Sequence, residues 1–252
     1  MEHTFTEENG FRYVEEGEGE VLMLLHGLFG ALSNFYDIIE AFKDSYKVVI
    51  PILPLYELPI EETTVRGFVQ YVERFVAFRG YDKVHVLGNS LGGHIALLYA
   101  LDNKDKISSI TLTGSSGLFE SAMGDSYPKR GDREYIQNKA ELTFYNPKHA
   151  TEELVDELFD IVNDRNKVIR VLATAKSAIR ENLADEITSI TAPTLLIWGN
   201  NDTITPPFVG EEFHKLIPNS KLLFIDECGH APMMEQPEQF NRYLREFLDQ
   251  LK

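Results

Sequence analysis

The sequence predicts an α/β fold: a parallel sheet covered by helices on both faces. Three observations lead there. Continuous apolar runs such as Val21-Leu22-Met23-Leu24-Leu25 and Thr194-Leu195-Leu196-Ile197-Trp198 have the character of strands buried on both sides. Between such runs lie segments with apolar residues at helical spacing, as at Val65, Phe68, Val69, Val72, Phe75 and Val76. Strand and helix alternate at both ends of the chain, which is the order that builds parallel sheets.

Taken in order, residues 11–15 alternate apolar and polar side chains and read as an edge strand. Gly17-Glu18-Gly19-Glu20 is a turn, and 21–25 is the first buried strand. A short helix over 33–42, a strand over 46–50 and a helix over 64–78 follow. Next come a strand at 83–87, a helix at 91–101 and a strand at 107–113. The alternation resumes with strand 194–198, helix 207–216, strand 221–225 and helix 237–251. The stretch 118–189 is different: it has little strand character and reads as charged amphipathic helices over 131–143, 151–162 and 167–182. It contains no Gly/Ser linker tract and no repeat. It is too charged and too short to hold a large core of its own, so it is expected to be a helical insertion between two strands of one sheet.

The 252 residues, 43% of them hydrophobic, suffice for one large domain with a full core. The formal net charge of -16 argues against nucleic acid or an anionic membrane surface as partner. The lone cysteine, Cys228, excludes an intrachain disulfide and a cysteine metal cluster. No apolar run approaches the roughly 18 residues that span a bilayer. Met1-Glu2-His3-Thr4 has neither the basic region nor the apolar core of a signal peptide. The expectation is a cytoplasmic protein.

Chemistry enters at Gly88-Asn89-Ser90-Leu91-Gly92, between a strand and a helix. A serine with glycines two before and two after it marks a strand-to-helix turn so sharp that side chains at the glycine positions would collide. The turn raises the hydroxyl above the sheet, over a helix N-terminus whose free N–H groups bind anions. A serine hydroxyl needs a base, and the base an orienting acid. Reactive groups gather at the carboxyl ends of parallel strands. After the strand at 194–198 comes Gly199-Asn200-Asn201-Asp202, and after 221–225 comes Asp226-Glu227-Cys228-Gly229-His230. Asp202 and His230 are therefore the candidate acid and base for Ser90. Two main-chain N–H groups are needed to hold a developing oxyanion. Leu91 supplies one, and the loop His26-Gly27-Leu28-Phe29-Gly30 the other, from Leu28 or alternatively Phe29. His26 fits a bracing role in that loop. His94, His85 and Cys228 fit packing roles.

These four motifs resemble the α/β-hydrolase superfamily in identity, order and spacing, in its branch with a helical cap, and the resemblance covers nearly the whole chain. It implies an eight-stranded, mostly parallel sheet built from 1–117 and 190–252, with a cap over 118–189 inserted after the sixth strand. It also implies Ser90 as nucleophile, Asp202 as triad acid and His230 as base. Many relatives carry Asp-x-x-Gly-x-Gly after the strand at 46–50. Here the stretch is Pro51-Ile52-Leu53-Pro54-Leu55-Tyr56-Glu57-Leu58-Pro59, so that wall of the cleft is rebuilt.

Phe29, Phe119, Met123, Phe144 and Met233 are candidates for an apolar pocket. No cofactor and no metal is called for, and the partner is a small-molecule substrate. The first functional expectation is a serine carboxylesterase. The alternative is a carbon–carbon hydrolase of the meta-cleavage-product type, echoed in Asn89 and Cys228-Gly229-His230; such an enzyme needs a cation for the substrate carboxylate, for which Arg130 and Arg180 are candidates. A third possibility, of another class, is a non-catalytic receptor using the same pocket.

Overall fold

The computed structural model describes residues 4–29, 35–120, 129 and 131–252. Its centre is an eight-stranded sheet in the order β1-β2-β4-β3-β5-β6-β7-β8. The strands are β1 (Thr6–Glu8), β2 (Phe11–Glu16), β3 (Val21–Leu25), β4 (Lys47–Pro51), β5 (Val84–Asn89), β6 (Ile107–Thr113), β7 (Thr194–Gly199) and β8 (Ser220–Ile225). β1 and β2 run antiparallel to their neighbours, and every pairing from β4 to β8 is parallel. The expected edge strand, β2, is in fact paired on both sides. The edge is β1, three exposed residues with no apolar pattern to announce them.

Helices cover both faces, and alternation along β3 separates the two cores. Val21, Met23 and Leu25 pack with α2 (Val65–Arg79), α3 (Leu91–Asp102) and α7 (Pro207–Leu216). Leu22 and Leu24 pack on the other side with α1 (Tyr36–Phe42) and the last helix, α9 (Pro237–Asp249). α2 begins where the Thr64 side chain accepts the Gly67 N–H and ends at Gly80, whose φ of 67° is left-handed. α3 is buried at every residue from Leu91 to Ala100, so it has no polar face for solvent.

Between β6 and β7 lie α4 (Arg133–Glu141), α5 (Glu152–Asn163) and α6 (Arg165–Arg180). Each starts at a side-chain cap, Asp132, Thr151 and Asp164 in turn. The Asp164 cap moves the start of α6 two residues ahead of the expected 167. The chain leaves and re-enters at one place: Leu183 N–H donates to Gly117 O at 2.8 Å, and Asn182 Nδ2 donates to Leu118 O at 3.0 Å. One further short helix, α8 (Pro232–Glu235), precedes α9. Among the described residues no helix is long and apolar enough to cross a membrane.

Candidate active site

Ser90, Asp202 and His230 sit just beyond the carboxyl ends of β5, β7 and β8. Ser90 has φ 55° and ψ -119°, a strained conformation for a residue with a side chain. The surroundings enforce it. Its N–H donates to Thr113 O at 3.2 Å, and its carbonyl accepts from Gly93, His94 and Ser116 N–H groups. A Cβ on Gly88 would stand 2.3 Å from Gly92 O, and one on Gly92 1.9 Å from Leu25 O, so only glycines allow this turn. The Ser90 side chain does not cap α3, and the first N–H groups of that helix, Leu91's included, have no intrahelical acceptor.

Asp202 is 3% exposed, and each of its carboxylate oxygens receives two donors. Oδ1 accepts the Ile204 and Thr205 N–H groups at 2.8 and 2.9 Å. Oδ2 accepts Thr205 Oγ1 and His230 Nδ1, both at 2.9 Å. An acceptor at Nδ1 fixes the proton there and leaves Nε2 as the basic nitrogen of the ring.

The backbone of His230 is held from three sides. Its N–H donates to Thr143 O at 2.9 Å, and its carbonyl accepts Asn89 Nδ2 at 3.2 Å. Glu235 Oε1 accepts the flanking N–H groups of Gly229 and Ala231, at 2.9 and 3.3 Å, while Oε2 accepts Tyr145 N–H at 2.7 Å. The imidazole lies against Gly114, where a Cβ would stand 2.8 Å from Nδ1. Gly114 follows Thr113, the acceptor for the Ser90 N–H, so serine and histidine flank one turn. The hydrogen bonds of the ring run through Nδ1, and among the described residues none joins it to Ser90 Oγ.

The loop after β3 approaches the same point: a Cβ on Gly27 would lie 3.3 Å from Ser90 Cβ. His26 braces it. Leu53 N–H donates to Nε2 at 3.0 Å, so Nδ1 carries the ring proton and donates to Gly27 O at 2.9 Å. Burial pushes the pKa of His26 down to about 4, against the opposing Gly27 bond, and the ring stays neutral at pH 7. Tyr56, from the rebuilt wall, donates its hydroxyl to Leu28 O at 3.2 Å. In a trans peptide the N–H points opposite the carbonyl. His26 therefore orients the Leu28 N–H, and Tyr56 the Phe29 N–H.

The apolar candidates are scattered. Leu28 and Phe29 are half-buried. Phe119 meets Phe208 edge-on at 5.4 Å, and Phe144 tilts against His149 at 5.8 Å. Met233 is 1% exposed inside the core formed with α9. Met123 and Arg130 lie outside the described residues, and Arg180 is exposed at the end of α6. A cleft of about 700 Å³ opens beside the acid's loop, between Leu142, Phe144 and Tyr145 on one wall and Asn201, Asp202 and Thr203 on the other; Ser90 does not line it.

His94, His85 and Cys228 are spent on packing. His94 Nε2 donates to Glu181 O at 2.8 Å, and His85 Nδ1 meets Ser109 Oγ at 2.8 Å. Burial raises the Cys228 thiol pKa far above its ordinary value, with Glu235 and Asp202 adding to the effect. Among the described residues no group of three or more His, Cys, Asp or Glu side chains is arranged to hold a metal ion.

Thr205, Glu235 and the bracing function of Asn89 escaped the reading of the sequence. A signal existed for Thr205, since an aspartate commonly accepts N–H groups two and three residues on and so pulls that residue beside its carboxylate.

The family model for the alpha/beta hydrolase family matches residues 22–243. A 2-hydroxy-6-oxo-6-phenylhexa-2,4-dienoate hydrolase of Comamonas testosteroni is 27% identical, over 94% of this chain and 91% of its own. Among solved structures, an alpha/beta hydrolase enzyme from the metagenome of lagoon sediments at Mar Chica, Morocco, is 42% identical, with 98% of each chain covered and a TM-score of 0.82. A meta-cleavage product hydrolase of Pseudomonas fluorescens IP01 shares the fold at 22% identity, with 96% of each chain covered and a TM-score of 0.82.

Proposed function

The chain belongs to the alpha/beta hydrolase family, and we propose that it acts there as a serine hydrolase, cleaving a small-molecule carboxylic ester through an acyl-enzyme. The observation that carries this reading is the buried Asp202–His230 pair at 2.9 Å, seated against the turn that holds Ser90 in its strained conformation. Ser90 Oγ attacks the ester carbonyl while His230 Nε2 takes its proton. Asp202 keeps the Nδ1 proton in place and stabilises the imidazolium that forms. The Leu91 N–H and the Leu28 N–H, which His26 aims, receive the tetrahedral oxyanion. Collapse expels the alcohol, which takes the proton from Nε2. Water then repeats the sequence on the acyl-enzyme, releasing the acid and restoring Ser90. The Ser90–His230 hydrogen bond closes in the substrate complex, as in other enzymes whose catalytic contacts tighten on binding. Residues 118–189 serve as the cap over this site and govern the choice of substrate.

The second reading, a carbon–carbon hydrolase, draws support from the relative matched over 94% of the chain. Asn89, part of the sequence echo of that class, uses its Nδ2 group here to brace the Thr113 and His230 carbonyls.

The test uses p-nitrophenyl acetate and butyrate, and 2-hydroxy-6-oxo-6-phenylhexa-2,4-dienoate followed by its loss of colour. Turnover of the esters, abolished by about 10³-fold or more in Ser90→Ala, is expected. Bleaching of the dienoate at a higher kcat/KM than either ester would favour the second reading. Undiminished ester cleavage by Ser90→Ala would refute both.

A further inference from the structure

Thr205 lies three residues beyond Asp202 and is 3% exposed. Its backbone is fixed at both ends: the N–H donates to Asp202 Oδ1 at 2.9 Å, and the carbonyl accepts the indole N–H of the fully buried Trp198 at 2.8 Å. Its hydroxyl stands 2.9 Å from Asp202 Oδ2 and 3.4 Å from His230 Nδ1. The imidazole proton at Nδ1 already points to Oδ2. The hydroxyl gives its single hydrogen to that same oxygen and turns a lone pair toward Nδ1.

We propose that Thr205 is a positioning residue for the Asp202–His230 pair, its hydroxyl holding Oδ2 under the imidazole and sharing the charge of that oxygen. This rests on the reading of Asp202 and His230 as triad acid and base. Without the hydroxyl, main-chain donors hold the carboxylate through Oδ1 alone, and Oδ2 is freer to move. More of its charge then falls on the imidazole, which retains its second proton to higher pH. The titratable groups packed around His230 are Asp202 after β7, Cys228 two residues before it, and Glu235 of α8, which accepts the N–H groups on either side of it. All three stay in place in the variants below. Asn89, Gly114 and Thr143 complete the surroundings and carry no charge.

Two substitutions separate the hydroxyl from the methyl. Thr205→Val keeps the branched shape and loses the hydroxyl; Thr205→Ser does the reverse. Thr205→Val is expected to lower kcat about tenfold at unchanged KM. It is also expected to move the acid limb of the kcat/KM profile, and the imidazole titration followed by NMR, to higher pH. Thr205→Ser should keep the wild-type midpoint and lie within about twofold of the wild-type rate. Wild-type rate and midpoint in Thr205→Val overturn the proposal. So does an equal loss in both variants with neither midpoint moved, which assigns the effect to packing. The NMR titration reads the hydroxyl whether or not an ester is cleaved, so a failure here is separable from ester cleavage that survives Ser90→Ala.

Discussion

The sheet with its flanking helices and the helical stretch between β6 and β7 are built to different standards. β3, β5 and β7 are buried at every residue, and α3 from Leu91 through Ala100. In the intervening stretch, α4 buries Ile136 and Ala140, α5 buries three residues and α6 four. Discrete polar contacts tie that stretch to the rest. Val65 N–H donates to Ser177 Oγ at 3.0 Å, Arg170 Nε donates to Leu58 O at 2.9 Å, and Glu235 reaches Tyr145. The difference teaches where precision is required. The groups assigned to bond cleavage rest on a close-packed scaffold that cannot shift by half an ångström. The stretch assigned to substrate choice buries fewer side chains and is attached in good part through such discrete contacts, with Thr143 O accepting the His230 N–H and the Tyr145 N–H donating to Glu235.

The largest effect that would sharpen this contrast is expected at Gly92. A methyl there would overlap Leu25 O, a main-chain atom of the central sheet with nowhere to go. Gly92→Ala should cost about 3 kcal/mol or more and lower Tm by roughly 10 °C, as read by circular dichroism. A Tm within experimental error of wild type would show that the turn at Ser90 is not the rigid point described.

The same contrast explains what could be read from the sequence. Runs such as Val21–Leu25 announce themselves because a strand buried on both faces is built mostly of apolar residues. The candidate site was legible because the chemistry proposed for it demands residue types at fixed places: glycines around Ser90, an acid after β7, a histidine after β8. Beyond those points the code thins. β1 has three exposed residues, and nothing in Thr6, Glu7 or Glu8 distinguishes strand from loop. The donors to Asp202 and the brace from Glu235 depend on folding back across turns, which no periodicity records. The three helices between β6 and β7 were legible from their amphipathic spacing, and their limits shifted by one or two residues, the start of α6 because Asp164 caps it.

A smaller effect is expected where the two regions join. Glu120 Oε1 accepts Gly117 N–H at 2.7 Å and lies 3.9 Å from His94 Nδ1, which has no hydrogen-bond partner among the described residues. Burial pushes the Glu120 carboxyl up from 4.5 to about 7, against the opposing Gly117 bond. The native state thus holds a proton that the unfolded chain releases. Its contribution is full below about 4.5 and is lost as pH rises to about 7. His94 works in the opposite sense: burial lowers it from 6.5 to about 4, so its contribution is full above 6.5 and is lost on acidification toward 4. Glu120→Gln keeps an acceptor for Gly117, gains a donor for His94 and removes the ionisation. At pH 8 it should raise stability by roughly 1–2 kcal/mol, or Tm by about 4 °C. The advantage should vanish as the pH falls below about 4.5, where the wild-type carboxyl becomes protonated in the unfolded state as well. Parallel Tm–pH curves for the two proteins would remove Glu120 from the junction's energetics.

The smallest effect is expected inside the helical stretch itself. Arg133 of α4 reaches across to α5, where it pairs with Glu152 and meets Asp156 Oδ1 through Nε at 3.0 Å and through a terminal nitrogen at 2.8 Å. On paper it is among the best-connected ion pairs of the molecule. All three side chains are exposed, however, and water and salt screen such pairs until little net attraction is left. Ile136 and Ala140 of α4 and Val155 of α5 are buried, and apolar burial of this kind outweighs a screened surface pair. Arg133→Ala should therefore shift Tm by less than about 2 °C, and Ile136→Ala in the same helix should shift it further. If the arginine proved the more damaging of the two, the helical stretch would be held by surface charge rather than by its thin core.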